Sequence, residues 1–440
     1  MTGLNLSNVQ FTKNSDVVNP DSEIFNTSYV NTLEGDDQII GTASINGDFA
    51  LGAFVEVAAQ DLNAISSVDL SAEATFAIYG IKNQGVINTA KGDDILSGTA
   101  EAKISASAET VSQAIAIAQE ADAIAIAEAF ASINVKTTAV GIDNSAGAIY
   151  TGRGNDGVGS DAIGGISAVA VATVDTVAIV EGISEAPTSQ GLTAFAQAIA
   201  TSLAKASITA IGIQNTGGIL NTGDDSDSVR ATASTNRDKF ETTSAFGFIS
   251  VSSIPNSQAL AQAVANATAS VSDKAIAIDN TKGLITTGNG DDSIEAAALA
   301  FNKAIAIDNT RGLISTGSGD DLIVANATAS ESYGIFGGTI DTGNGHDRVI
   351  ASSFGGGVNI KTREGNDFVE GFGNAKVEGG KGYDTLSLIA YNKDNFQISF
   401  GSGNNNTVIF QLDGITMTTT GFEQFNFANN VSYTYNALHV

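Results

Sequence analysis

The sequence has no cysteine and no tryptophan, and only three prolines and two histidines in 440 residues. Without cysteine there are no disulfides and no thiolate metal sites. That absence leaves the compartment open, because an extracellular protein need not use disulfides. Three prolines against 48 glycines argue for tight corners between hydrogen-bonded strands, not for stiff or flexible linkers. No apolar run reaches 18 residues, so no membrane-spanning helix and no membrane insertion are expected. The stretch Met1–Asn8 has neither a basic nor an apolar leader segment, so no cleavable N-terminal signal is expected. Positive charge is scarce, with 20 basic against 48 acidic residues and a net charge of −28. Such a surface repels nucleic acid and anionic lipid and attracts divalent cations. Catalytic signatures are missing too. Neither a His-Glu-x-x-His helix nor a Gly-x-Ser-x-Gly elbow occurs, and His346 and His439 are far apart in the chain.

What the sequence does have is repetition. Lys274–Ile294 and Lys303–Ile323 say nearly the same thing at a period of 29 residues. Each unit carries an alternating Ala-Ile-Ala-Ile strand, an Asn-Thr-x-Gly corner, a short strand and a Gly-x-Gly-Asp-Asp corner. Repeats of this length bury an apolar face only by stacking on copies of themselves. The expected fold is therefore all-β: an elongated parallel β-solenoid, two strands and two corners per coil.

The Gly-Asp corner occurs nine times, ending on Asp37, Asp94, Asp156, Asp227, Asp292, Asp321, Asp347, Asp367 and Asp384. The residue before this Asp varies, which reads as a side chain left to solvent. Thr recurs five positions before the Asp from Thr32 to Thr362, and Asn recurs at the other corner as Asn26, Asn83, Asn144, Asn215, Asn280 and Asn309. Asn tolerates a left-handed backbone, and stacked amides bond from coil to coil, so the Asn series reads as structural.

The spacing of the corner Asp residues falls from 57–71 in the first coils to 17 in the last. The early coils carry insertions near 41–76, 98–138, 159–208 and 230–272, with Ala at every second position, as in Ala259–Ala269. A period of two favours strands over helix, although Ala is the best helix former. These insertions are expected to stack into a second sheet beside the corners. The division expected is an N-terminal arm or cap at 1–24, wide coils at 25–272, narrow coils at 273–384, and an aromatic C-terminal β cap at 385–440. The arm, with Leu4, Leu6, Val9 and Phe11, either caps its own first coil or is donated to a neighbouring copy.

The corner Gly-x-Gly-x-Asp-x-(Ile/Val/Leu) offers carbonyls and a carboxylate, the oxygens a hard cation prefers. Gly288-Asn-Gly-Asp-Asp-Ser-Ile294 and Gly380-Lys-Gly-Tyr-Asp-Thr-Leu386 resemble the RTX (repeats-in-toxin) nonapeptide family. That resemblance implies Ca²⁺ bound between stacked corners, and a C-terminal tail that serves as an uncleaved signal for type I secretion. Carried over residue by residue, it points to Asp347, Asp367 and Asp384 with Gly343, Gly345, Gly365 and Gly382. It extends to Asp292 and Asp321 with Gly288, Gly290, Gly317 and Gly319, and to Asp37, Asp94 and Asp156. Asp227 is the weakest candidate, because Asp225 stands where the other corners have glycine. RTX coils carry two such loops per 18 residues, and only Gly343–Leu388 approaches that spacing.

The function expected is a secreted, non-enzymatic, calcium-binding structural protein that assembles with itself into a surface layer, matrix or fibre. Among RTX-like proteins it is similar to the surface fibril proteins of filamentous cyanobacteria, and cell-surface polysaccharide is a further expected partner. Two other readings stand beside it: an ice- or glycan-binding adhesin using the Thr series as a flat face, and a polysaccharide-active enzyme on a β-helix.

Overall fold

The protein is seen here as a computed structural model in which residues 3–60, 63–119, 122–181, 193–236, 244–252, 258–401 and 406–439 are described. The parts of the expected insertions at 61–62, 120–121, 182–192, 237–243 and 253–257 lie outside them. Among the described residues the chain forms two long sheets, of 20 and 13 strands, whose coil-to-coil pairings are parallel and antiparallel only at the C-terminal end. It is an all-β parallel solenoid.

One narrow coil shows the path. Ser293–Leu299 lies in the smaller sheet, Lys303–Asp308 returns in the larger one, and Leu313–Ser315 follows the Asn corner. Each coil thus has three strand segments where the repeat suggested two, because the strand after the Gly-Asp corner belongs to the opposite sheet. The near-identical halves stack residue on residue: Ile276 on Ile305, Ile285 on Ile314, Ile294 on Ile323. Their β-branched side chains point inward and are buried. Each such burial stabilises the fold by about 1.5–3 kcal/mol.

The Ala-rich insertions are strands, and they make no separate layer. They lengthen both existing sheets, giving strands such as Ile95–Gln119 and Ala123–Asp143. The result is a wing beside the trunk with its own core, lined by Ala106, Ala127, Ala168, Ala198 and their neighbours. Ala wins over its helical preference because a small side chain lets the two sheets approach across the wing while each strand keeps a neighbour in register. Glycine marks the pinch between the cores. A Cβ on Gly98 would lie 2.3 Å from the Gly141 carbonyl, so only glycine lets the sheets touch there.

The ends are closed differently. In the arm, Leu4–Asn5 pairs with Ile24–Phe25 and Val17–Val18 with Gln38–Ile39, while Leu6 is fully buried. The arm therefore caps its own first coil, and the donated strand is not what is seen. At the other end Phe396, Phe410, Phe425 and Phe427 form an aromatic cluster under the antiparallel strands. No helix among the described residues is long and apolar enough to cross a membrane.

Candidate functional site

The nine corner Asp residues form one buried column. Each is at most 3% exposed. Each Oδ1 accepts the backbone N–H of the Asp one coil earlier: Asp94 from Asp37, Asp156 from Asp94, and so on to Asp384 from Asp367, at 2.7–3.0 Å. The corner places them there because its two glycine positions adopt left-handed backbone, at φ 97° and 138° for Gly288 and Gly290. A Cβ on Gly290 would sit 2.1 Å from the Asp225 carbonyl of the coil before. Asp227 is a full member of the column, accepting from Asp156 at 2.9 Å, so its rung has the same geometry as the others.

Asp225 shows the local cost of leaving the pattern. It holds φ 88° at a position where the other coils have glycine, and its charge presses on Asp156. Asp225→Gly removes both penalties and keeps the main-chain bond to Asn289. The substitution is expected to raise unfolding free energy by about 1 kcal/mol, read by urea denaturation.

The variable residue before each Asp is exposed, as expected, and it also bonds the neighbouring coil. Asp36 accepts the Asp93 N–H, Asp93 that of Asn155, Asn155 that of Ser226, and Ser226 that of Asp291. The series runs on through Asp291, Asp320, His346 Nδ1 and Asn366 to the Tyr383 N–H, at 2.7–3.2 Å. This exposed ladder accepts from the coil after, whereas the buried one accepts from the coil before. Two counter-running ladders thus satisfy the amides of every corner. The sequence carried the signal, since each of these positions before Tyr383 holds an acceptor (Asp, Asn, Ser or His).

At the N-terminal end both ladders are closed by residues outside the glycine corners. Ser15 and Asp16 of the arm act as a corner before the first: Ser15 Oγ accepts from Asp36, and the Asp16 N–H donates to Asp37. Ser-Asp-x-Val is the recognisable trace of a corner without its glycines. At the far end the Asp384 N–H donates to Glu423 of the cap at 2.8 Å. The Asn series forms a third ladder, Asn26 to Asn309, with amide-to-amide bonds of 2.7–2.8 Å. The Thr series faces inward and is fully buried, most hydroxyls donating to the Thr carbonyl one coil on. It presents no exposed flat face, which removes the basis for ice or glycan binding through it.

One oxygen per rung is unaccounted for. Oδ2 of Asp37, Asp94, Asp156, Asp227, Asp292, Asp321, Asp347, Asp367 and Asp384 is buried without a hydrogen-bond partner. The nearby Thr hydroxyls favour the charged form slightly, but most spend their proton on the neighbouring carbonyl. A buried carboxylate oxygen without a donor requires a proton or a cation. Burial, with the neighbouring rungs adding to it, pushes Asp94, Asp227, Asp321 and Asp384 up to about 7. It lifts Asp156 and Asp367 to about 6, and raises Asp37, Asp292 and Asp347.

The oxygens of the column open to a proton or a cation are its Oδ2 atoms, one per coil. Among the described residues no three His, Asp or Glu side chains gather into a ligand group. Further oxygens would come from main-chain carbonyls, of which those of Gly288, Gly317 and Gly343 already accept a neighbouring coil's amide. The glycines singled out from the motif, Gly288, Gly290, Gly317, Gly319, Gly343, Gly345, Gly365 and Gly382, all hold left-handed backbone beside the column. No family model matches the chain, and neither a curated protein nor a solved structure does.

Proposed function

We propose that the protein is a secreted, calcium-binding structural scaffold whose copies assemble into a surface layer, matrix or fibre. The observation that carries the reading is the unbroken column of nine carboxylates, each buried with one oxygen unpartnered. Stacking like charges inside a fold opposes folding unless something neutralises them. Ca²⁺ supplies charge and takes oxygen ligands in flexible geometry, which suits carboxylates fixed on stacked backbone. The residues that would hold it are the column Asp residues and the glycine-corner carbonyls. The chain's own contribution is to fix one carboxylate per coil by an amide and to keep water away from it. Folding then depends on an ion plentiful outside cells, so the protein matures after export. The resemblance to RTX repeats supports the same reading, as does a net charge of −28. The role is read as non-catalytic because the buried acids are committed to main-chain bonds.

Circular dichroism and electron microscopy with and without Ca²⁺ test it together. Millimolar Ca²⁺ is expected to raise the melting temperature and give ordered assemblies, with Mg²⁺ a poor substitute because it resists losing its waters. Identical melting in chelator and in Ca²⁺ at pH 8 overturns the calcium reading.

A further inference from the structure

The wing has two end faces, and they are built differently. At the N-terminal face the outer strands are Gln38–Gln60 and Ala64–Asn83. Where inner coils have Ala, this face has larger inward residues: Phe49 stands in register with Ala106 and Leu70 with Ala131. Phe49 packs on Phe76 across the sandwich, ring centroids 5.3 Å apart, which partly covers the interior while Phe49 and Leu51 stay exposed. Its strands also carry Asp48, Glu56, Asp69 and Glu73, outward acids of the kind that discourage edge pairing.

The C-terminal face has neither device. Its outer strands are Ser244–Ser252 and Gln258–Asp279. From 258 to 272, and from 244 to 252, there is no charged residue. Among the described residues no strand pairs with the outer edge of 258–272; the next strand of that sheet joins only at Lys274. The inward side is open as well. Ala261, Ala263, Ala265, Ala267 and Ala269 are exposed, although Ala196, Ala198, Ala200 and Ala204, in register with four of them one coil earlier, are fully buried. Phe246, Phe248 and Leu260 are exposed on the same end. A long, uncharged strand edge beside an uncovered apolar interior is a template for another strand.

We infer that this face pairs with the same face of a second copy, through a twofold axis normal to the two sheets. It deepens the assembly reading above and rests on it for its role, though its geometry needs no calcium. The fold selects the symmetry. A copy translated along the solenoid would set its trunk on the narrow coils and cap that continue from Ser293 to His439. The twofold instead carries the partner's trunk beyond the wing tip, past which it runs antiparallel. Rotation about the sheet normal keeps each sheet coplanar with its counterpart, so Gln258–Ser272 meets its copy antiparallel and the Ala-lined interiors join. Full overlap centres the pairing near Ala265 and brings Val264 opposite Asn266 of the copy.

Charge favours this occupant, and size allows it. Most of the surface of a chain carrying −28 repels another copy, whereas these strands bring no charge against each other. Fifteen extended residues span about 50 Å, and two sheets lie about 10 Å apart. The face is therefore on the order of 500 Å² per copy, about 1,000 Å² in all, at the lower bound for a specific interface. Pairing at an isologous face closes into a dimer.

The absence of cysteine gives a clean test. Single cysteines at Asn266 and, as control, at Glu73 are treated with a short bis-maleimide, with sedimentation run on wild type and on Asn266→Lys/Thr268→Lys. Both measurements are made in Ca²⁺ and in chelator at pH 5. The expected result is a wild-type dimer, cross-linking at 266 but not at 73, and a lysine variant that melts like wild type yet sediments as monomer. Monomeric wild type, equal cross-linking at both positions, or a folded lysine variant that stays dimeric overturns the pairing. A dimer that forms alike in both buffers, with no calcium effect on melting at pH 8, sinks the calcium reading and leaves the pairing standing.

Discussion

In chelator the melting temperature is expected to fall by about 10 °C as pH rises from 5 to 8, and millimolar Ca²⁺ is expected to abolish that fall. The sign follows from the column. Unfolded Asp ionises near 3.9, whereas Asp156 and Asp367 stand at about 6 and Asp94, Asp227, Asp321 and Asp384 at about 7 in the folded chain. Below pH 4 both states are protonated and the folded chain has its full stability. Between about 4 and 7 the folded state holds more protons than the unfolded, so stability drops as pH rises. The loss runs on through 7 and levels off only once the folded column has itself ionised. One pKa unit corresponds to about 1.4 kcal/mol, so even a coupled column amounts to several kcal/mol. Most proteins behave in the opposite way and weaken on acidification. Calorimetry at pH 5 and pH 8, in chelator and in Ca²⁺, decides it. A melting point in chelator that is flat or higher at pH 8 means the column does not titrate inside the fold.

The trunk was legible in the sequence because its period is carried by residues with one geometric use. Asn26 to Asn309 and Asp37 to Asp384 recur only where a side chain must reach a neighbouring coil's backbone. The insertions were legible as strands from their period of two, but not as a wing. Nothing local says that Ala106 and Ala127 face each other across a sandwich; that follows from the pinch at Gly98 and Gly141, a tertiary contact. The exposure of Asp93, Asn155, Ser226 and His346 is legible from their variation, but their bonding as a ladder is not, because they differ in type while sharing one property, an acceptor atom at short reach. The Thr series was misread for the converse reason. A repeated residue type suggests a face, yet Thr316 is buried and bonds the Thr342 carbonyl. Ser15 and Asp16 keep only the Ser-Asp-x-Val trace of a corner, and Glu423 is recognised only by the Asp384 N–H it accepts.

Substituting one rung separates proton from cation. Asp321→Ala leaves the Asp292 N–H buried without its acceptor, a loss of about 1–3 kcal/mol whatever occupies the column. Asp227→Ala does the same to Asp156, so the two should destabilise equally despite the degraded glycine position beside Asp227. Asp321→Asn is the informative change. Its Oδ1 still accepts from Asp292, and its amide replaces the unpartnered Oδ2 with a donor that has the Thr316 hydroxyl at hand. It also removes one buried charge from between Asp292 and Asp347. In chelator at pH 8 the Asn variant should therefore melt above wild type. In Ca²⁺ the order should reverse, because a neutral amide forfeits the ion's charge at that rung and the calcium-induced rise shrinks. Melting curves of the two Asp321 variants under both conditions read this directly. If Asp321→Asn keeps the full calcium response, the ions lie elsewhere than on the column. If it falls as far as Asp321→Ala in chelator, the unpartnered oxygen was not the source of strain.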